Sequence, residues 1–290
     1  MSKALIDTFA KKLIAWHGVS GRSGLPWQNN RDPYAVWVSE IMLQQTPVQR
    51  VLPVYTEWMK RWPTPARLAK ATPAEVITSW GRLGYPRRAL RLHECAKVIT
   101  NELGGVIPST EAELRKLPGI GEYTAAAMVA FAFEGSSLVL DINIRRLFSR
   151  LYKGEESPTA APTKAERIEY AEYVPKKNAH LWAAATMELG ALVCTAQKPL
   201  CGRCPVADHC AWRSLDYPAS TRVKRTQTWH GTDRQCRGTI VQALRDNSTL
   251  NKKQIHLLWD VPSQVEKALL TLLDDGLIEE RRKNTFSLPR

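Results

Sequence analysis

Apolar residues recur at three- and four-residue intervals through most of the chain, and almost nowhere do they alternate with period two. That spacing predicts helix after helix from about Ser2 to Tyr217, with no sheet in this part. The connections are short and carry Pro, Gly, Ser or Thr, as at Leu25-Pro26, Pro63-Thr64-Pro65 and Gly104-Gly105. Several helix starts are readable. Asp32-Pro33 offers a cap with proline at the first helical position, and Thr72-Pro73-Ala74-Glu75 and Ser109-Thr110-Glu111 follow the same logic. The apolar stretch Ser136–Leu140 ends at Asp141 and is expected to be a loop entering a helix over Ile142–Leu151. Residues 218–234 are polar, basic and Thr-rich, and read as a linker. The remainder, 235–290, has its own pattern. A helix is expected over Gly238–Arg245, a second around Lys252–Leu257, and a third from the capping box Ser263-Gln264-Val265-Glu266 to a terminating Gly276. Leu277–Glu279, a basic tip Arg281-Arg282-Lys283 and Thr285–Leu288 then form a hairpin. Three helices and a basic hairpin describe a small winged-helix-like α+β domain.

Composition narrows the setting. The 290 residues are 44% hydrophobic and 24% charged, as in a folded globular chain. No apolar run approaches the ~18–20 residues of a membrane span. The amphipathic segment Met1–Gly18 carries charges and no cleavage site, so it is not read as a secretory signal. A cytoplasmic, membrane-free chain is expected, nucleoid-associated if bacterial, with cysteines serving as metal ligands or free thiols. Lys+Arg is 41 against 28 Asp+Glu, a net charge of +13. The surplus suggests a polyanionic partner, although it would also serve solubility. Thirteen basic and eight acidic residues follow Tyr217, so the excess is shared along the chain and is no appended basic tail.

Two motifs carry chemistry. Cys194, Cys201, Cys204 and Cys210 stand in a C-x6-C-x2-C-x5-C loop. Zinc usually takes two separated C-x2-C knuckles, whereas one such knuckle flanked by single cysteines favours a [4Fe–4S] cubane. Cys95 and Cys236 stand alone and read as core thiols. Lys198, Arg203 and Arg213 make the loop basic enough to grip phosphates. The second motif is Leu117-Pro118-Gly119-Ile120-Gly121-Glu122-Tyr123-Thr124-Ala125. Gly119 and Gly121 let the backbone turn sharply between helices, and the following helix, expected over Thr124–Phe133, offers free N–H groups to a phosphate. The plain alternative is an ordinary turn between two helices.

The hairpin, an aspartate about twenty residues later and the cysteine loop together resemble the helix–hairpin–helix DNA glycosylase superfamily, endonuclease III branch. Finer stretches are similar to the MutY-type adenine DNA glycosylases: Leu25-Pro26-Trp27-Gln28, Val38 to Thr46 with Gln44-Gln45, Gly84-Tyr85, Leu140-Asp141-Ile142-Asn143, and Glu188-Leu189-Gly190-Ala191. The resemblance covers roughly Trp16 to Cys210. It implies a mainly α, two-lobed glycosylase domain over 1–217. A six-helix barrel would occupy about 30–135 and a cluster lobe 1–29 plus 136–217, with the site in the cleft. It also implies a monomer acting on duplex DNA that holds a mispaired adenine, opposite 8-oxoguanine or guanine.

The same resemblance distributes roles. Glu40 would protonate adenine at N7, and Asp141 would face the sugar as counter-charge or transient nucleophile. Tyr123 and Asn143 would support the sugar and Asp141. Gln45 would wedge into the stack, and Thr46 and Tyr85 would meet the opposite base. Trp27 and Gln28 fall in a matching stretch, Gly119 and Gly121 would approach the backbone, and Glu188 would sit near the adenine edge. From the residues alone, Glu40 could be an ordinary helix carboxylate and Asp141 a helix cap. Bifunctional relatives carry a Schiff-base lysine where this chain has Tyr123, so a monofunctional enzyme is implied. Pro86 and Ile142 depart from the family pattern, and no lesion-reading domain of the pyrophosphohydrolase type is legible after Tyr217. A T:G or oxidised-pyrimidine glycosylase and a non-catalytic iron–sulfur DNA-binding protein remain the other readings.

Overall fold

The computed structural model describes residues 3–28, 30–220 and 229–290, so the middle of the expected linker, 221–228, lies outside the described residues. Before the first strand the chain forms α1 (Lys3–Ser20), α2 (Pro33–Leu43), α3 (Val48–Arg61), α4 (Pro65–Ala69), α5 (Pro73–Trp80), α6 (Arg87–Glu102), α7 (Glu111–Leu114), α8 (Glu122–Phe131), α9 (Ile142–Phe148), α10 (Lys164–Ala171), α11 (Ala179–Leu192) and α12 (Ala211–Ser214). The fold is mainly helical. The legible caps form as written: Thr72 and Glu75 make a reciprocal capping box on α5, and Thr110 accepts from the Glu113 N–H at α7. Asp32 accepts from the Tyr34 N–H as α2 begins at Pro33. Ser136–Leu140 is a loop, and the helix after it is shorter than expected because its end widens into a π-helical turn, Ser149–Lys153.

Contacts divide the chain into two compact units. The first combines the segment up to Glu40, Pro108–Lys116, and the chain from Ile120 through the cysteine loop. Here α11 packs on α1, α8 and α9. Phe9, Leu13, Ala126, Ala130, Ile144, Leu147 and Trp182 are among its buried core residues. A buried ion pair, Arg145 to Glu166 at 2.9 Å, ties α9 to α10.

The second unit combines Ile41–Ile107, Leu117–Gly119 and the C-terminal segment. That segment runs α13 (Asp233–Asp246), β1 (Leu250–Asn251), α14 (Lys252–His256), α15 (Pro262–Asp274), β2 (Glu279–Arg282) and β3 (Thr285–Ser287). The strands form an antiparallel sheet in the order β1-β3-β2, so the order of elements is that of a winged helix. Two sequence expectations shift. α13 starts five residues before Gly238, because Thr232 caps it by accepting from the Gln235 N–H. α15 starts at Pro262 rather than from a Ser263 box, since Val261 is the cap residue and makes no side-chain cap bond. Ile77 of α5 belongs to the same core as Cys236, Ile240, Leu269 and Phe286, with Ala74 and Leu90 packed against it, so α13 to β3 close on α5 and α6.

Candidate active site and cluster loop

Glu40 is a carboxylate on a helix whose other residues from Tyr34 to Met42 are all buried, and it is itself only 7% exposed. Taking the charged form out of water raises its pKa to about 7. The Tyr123 hydroxyl opposes that shift by donating to Glu40 Oε2 at 2.8 Å, and the negative charge of Asp141 adds to it. Tyr123 lies in the first turn of α8, just past the hairpin. Gly119 holds φ +76 there, and a Cβ on it would fall 2.9 Å from the Arg91 Cβ, so only glycine fits the turn.

Asp141 does what its position before α9 suggests and more. Its Oδ1 accepts from the Ile144 N–H at 2.7 Å, which caps the helix, and its Oδ2 accepts from Asn143 Nδ2 at 2.7 Å. Both oxygens are therefore held still. Burial raises the pKa of this carboxyl, while the two donors and the nearby Arg146 pull it back. Arg146 donates to Asn143 Oδ1 at 2.9 Å, to the Gly190 carbonyl at 2.6 Å and to the Cys194 carbonyl at 2.7 Å. One guanidinium thus runs from the partner of Asp141 to the first cysteine of the loop. Gly190 makes this approach possible, since a Cβ on it would meet Asn143 atoms at 2.8 Å.

Glu188 is 6% exposed and gripped by Arg22. The guanidinium reaches both carboxylate oxygens at 2.7 Å and the Arg22 N–H adds a bond at 2.8 Å. Burial would raise its pKa, but these donors win and hold it below the ordinary range, so it is an anion near neutral pH. Trp27 and Gln28 belong to the same unit, and the Gln28 side chain closes its own turn by accepting from the Leu25 N–H at 3.2 Å.

Gln45, Thr46 and Tyr85 belong to the second unit. Gln45 and Tyr85 are both exposed and both left-handed, with φ of 53 and 49 degrees. For side chains of this size that backbone is strained and must be held from outside. Arg88 does so. Its guanidinium donates to the carbonyls of Ile41 at 2.8 Å, Gln44 at 2.6 Å and Gly84 at 3.1 Å, and to Thr46 Oγ1 at 3.2 Å. The Thr46 hydroxyl is buried and spends its proton on the Gln44 and Leu83 carbonyls. Burial without a carboxylate partner lowers the Arg88 pKa to about 10, which leaves it charged.

Cys194, Cys201, Cys204 and Cys210 line one cavity with Leu147, Val193, Val206 and Trp212. Four thiols lining one cavity are the ligand set that a [4Fe–4S] cluster takes. The wall also holds Arg150, which is 1% exposed. It donates to Cys194 Sγ at 3.4 Å and to the Thr195 and Glu156 carbonyls at 2.7 and 2.9 Å, and it lies 4.4 Å from the Trp212 ring. It has no carboxylate within ion-pair distance among the described residues. A dianionic thiolate cluster would supply the missing counter-charge. Lys198 and Arg203 are exposed, while Arg213 pairs with Asp208 at 3.3 Å.

Sequence reasoning passed over Arg22, Arg88, Arg146 and Arg150. Arg146 and Arg150 were within reach of it, because their four-residue spacing after Asp141 puts both on one face of the helix that leads to the cysteine loop.

This chain is similar to known families and proteins over most of its length. Residues 38–172 match the model of the HhH-GPD superfamily of base excision DNA repair proteins, and residues 194–210 match the iron–sulfur binding domain of endonuclease III. The second match begins and ends on the outer two cysteines. The chain is 45% identical over 282 residues to the adenine DNA glycosylase of Mycolicibacterium smegmatis, covering 96% of this chain and 94% of that one. It is 40% identical over 221 residues to the adenine DNA glycosylase of Homo sapiens, covering 72% of this chain and 40% of the human one. Among solved structures it is similar to a thermostable thymine-DNA glycosylase, with a TM-score of 0.67 and 26% identity over 72% of this chain and 97% of that one.

Proposed function

From the premise that this chain belongs to the adenine DNA glycosylase family and excises adenine in base excision repair, we propose that its substrate is adenine opposite 8-oxoguanine or guanine, and that Glu40 and Asp141 carry the reaction. The observation that carries the residue assignment is the Glu40–Tyr123 pair beside Asp141. A carboxyl with a pKa near 7 is half protonated at neutral pH, as a general acid should be.

In this reading Glu40 gives its proton to N7 of the extruded adenine. The C1′–N9 bond then breaks, and its electron pair leaves with the neutral base. The positive charge that develops at C1′ and the ring oxygen is met by the Asp141 carboxylate, which Asn143 and the Ile144 N–H hold in place. Water adds at C1′ and gives up a proton to the Glu40 carboxylate, which resets the acid. Tyr123 has no amine, so no Schiff base forms at this position and the sugar strand stays intact by that route. Glu188, held ionised by Arg22, would accept from the exocyclic amine of adenine. Gln45 would occupy the vacated stack and Tyr85 would meet the opposite base, while Gly119 and Gly121 let the hairpin approach a phosphate. Trp27 would line the pocket beside the base.

A [4Fe–4S] cluster belongs to this family, and we assign Cys194, Cys201, Cys204 and Cys210 as its ligands. When bound it supplies a rigid, anionic anchor for the loop. Arg150 would face its Cys194 thiolate, and Arg146 would link the Cys194 carbonyl to Asn143. Among the described residues no helix is long and apolar enough to cross a membrane. We further propose that the enzyme works on genomic DNA in the cytoplasm, as a monomer.

Single-turnover release from duplexes holding A:8-oxoG, A:G, T:G and thymine glycol tests the reading. Adenine release from the first two is expected. The structural likeness to a thymine-DNA glycosylase makes thymine release the informative failure, since thymine without adenine would overturn the substrate assignment.

A further inference from the structure

The second unit carries a charge that the proposed reaction does not use. Arg234, in the first turn of α13, is exposed, and its guanidinium carbon lies 4.8 Å from the centre of the Tyr85 ring. Its adjacent carboxylate is already taken, because Asp233 accepts from Lys267 at 2.6 Å and from Gln264 at 3.2 Å. Among the described residues Arg234 has no ion pair, and its contact is the Tyr85 ring. A single cation–π contact at an exposed site contributes little to stability. Arg234 therefore does little for the fold.

Its position is nonetheless well determined. Arg245, further along α13, donates to the Ile77 carbonyl of α5 at 3.1 Å. Asp275, at the end of α15, pairs with Arg87 at 3.1 Å and also with Arg237 of α13. The shared core around Ile77 and Ile240 closes behind these bonds. The Tyr85 side is fixed as firmly, by Arg88 on the Gly84 carbonyl and by Trp80 Nε1 donating to the same oxygen at 2.9 Å. Two rigid pieces thus hold a free guanidinium against one exposed ring.

We infer that Arg234 is a specificity-determining residue of the C-terminal segment, and that its guanidinium reads the O6-bearing edge of the purine opposite the excised adenine. This rests on the reading that Tyr85 meets that base. Arginine's planar fork suits the O6 and N7 acceptors of guanine, and 8-oxoguanine keeps the O6. Cytosine presents an amine there, which repels the cation. The ring of Tyr85 would stack on the base or its sugar while Arg234 supplies the hydrogen bonds, so the pair would divide shape from sequence readout.

The test uses the full-length, cluster-loaded enzyme on A:8-oxoG, A:G and A:C duplexes, with single-turnover rate followed against enzyme concentration and salt. Arg234→Ala should lower the A:G to A:C rate ratio by about tenfold, within the discrimination of one good arginine–base pairing, and the A:8-oxoG to A:C ratio by less, because N7 of 8-oxoguanine carries a proton and only its O6 accepts. On the A:G to A:C ratio Arg234→Lys should fall nearly as far, because it keeps the charge and loses the fork. If instead Arg234→Ala weakens all three duplexes equally, lowers the salt slope by about 0.9, and is rescued by lysine, Arg234 contacts a phosphate and the inference is overturned. Tyr85→Ala separates the two layers. Altered ratios in Tyr85→Ala with unaltered ratios in Arg234→Ala would defeat this inference alone. Unaltered ratios in both variants would defeat the reading of Tyr85 as well.

Discussion

Replacing Glu40 with glutamine should make the protein inactive and more stable at once, and the two effects have one cause. Burial raises this carboxyl from 4.5 to about 7. Below the unfolded value both states hold the proton and nothing is lost. Between 4.5 and about 7 the native state keeps a proton that the unfolded chain releases, so stability falls as pH rises. Above the folded value the full difference remains, about 3 kcal/mol at 1.36 kcal/mol per pKa unit. Glutamine has the same shape, and its amide oxygen can still accept from Tyr123, but it has no charge to bury. Glu40→Gln should therefore match the parent in denaturant midpoint near pH 4.5 and exceed it at pH 8 by an amount equivalent to about 3 kcal/mol. Adenine release in a single turnover should drop by about 10²–10⁴, the usual contribution of a positioned general acid, with duplex affinity unchanged. The parent's own rate should fall as pH rises through about 7. Retained activity in the variant would remove Glu40 from the chemistry. A pH-independent loss of stability would refute the claim that its buried charge is what costs.

Three further outcomes are expected. Tyr123→Phe removes a donor that favours the carboxylate of Glu40, so the alkaline limb of the rate profile should move to higher pH; a limb that stays put would show that the 2.8 Å bond does not act on the acid. Arg150→Met strips the loop of a buried cation and leaves the Thr195 and Glu156 carbonyls without their donor, at a cost on the order of 3–5 kcal/mol. Purified variant should hold markedly less iron and show weaker visible absorbance than the parent, and parent-like iron content would refute a counter-charge role. Arg88→Ala frees the carbonyls of Ile41, Gln44 and Gly84 and relaxes the strained Gln45 and Tyr85. Faster backbone hydrogen exchange at Gln45–Thr46 and Gly84–Tyr85, with a raised half-saturating enzyme concentration, is the expected signature, and unchanged exchange there would count against it.

How much of this was legible beforehand depended on whether the physics is local. Thr72–Glu75 is a capping box because four consecutive residues suffice to make one, and it forms as written. The winged-helix-like tail was visible because its helices and basic tip are each short-range patterns. β1 was not, since a two-residue strand has no periodicity and exists only by pairing Leu250 with Phe286. α13 begins before the expected Gly238 because Asp233 and Arg234 look like the end of a basic linker until Cys236, one turn on, is seen in the Ile77 core. At the candidate site the four cysteines were legible because they sit close in sequence, whereas Glu40 and Asp141 lie far apart and were singled out only through the family resemblance. The arginines were not, because their meaning is long-range. Arg22 meets a carboxylate 166 residues away, and Arg146 meets a carbonyl 48 residues away. A surplus cation on a basic chain looks like solvated surface until the fold shows where it is buried. Three of the four arginines named here end on backbone carbonyls rather than on acids, so a count of opposite charges along the chain could not have paired them. The net charge of +13 is accordingly a poor map of what faces DNA. Part of it, Arg88, Arg146 and Arg150, is wholly or partly buried and is spent on backbone carbonyls. The part left to meet phosphates and bases is smaller and more specific, and Arg234 belongs to it.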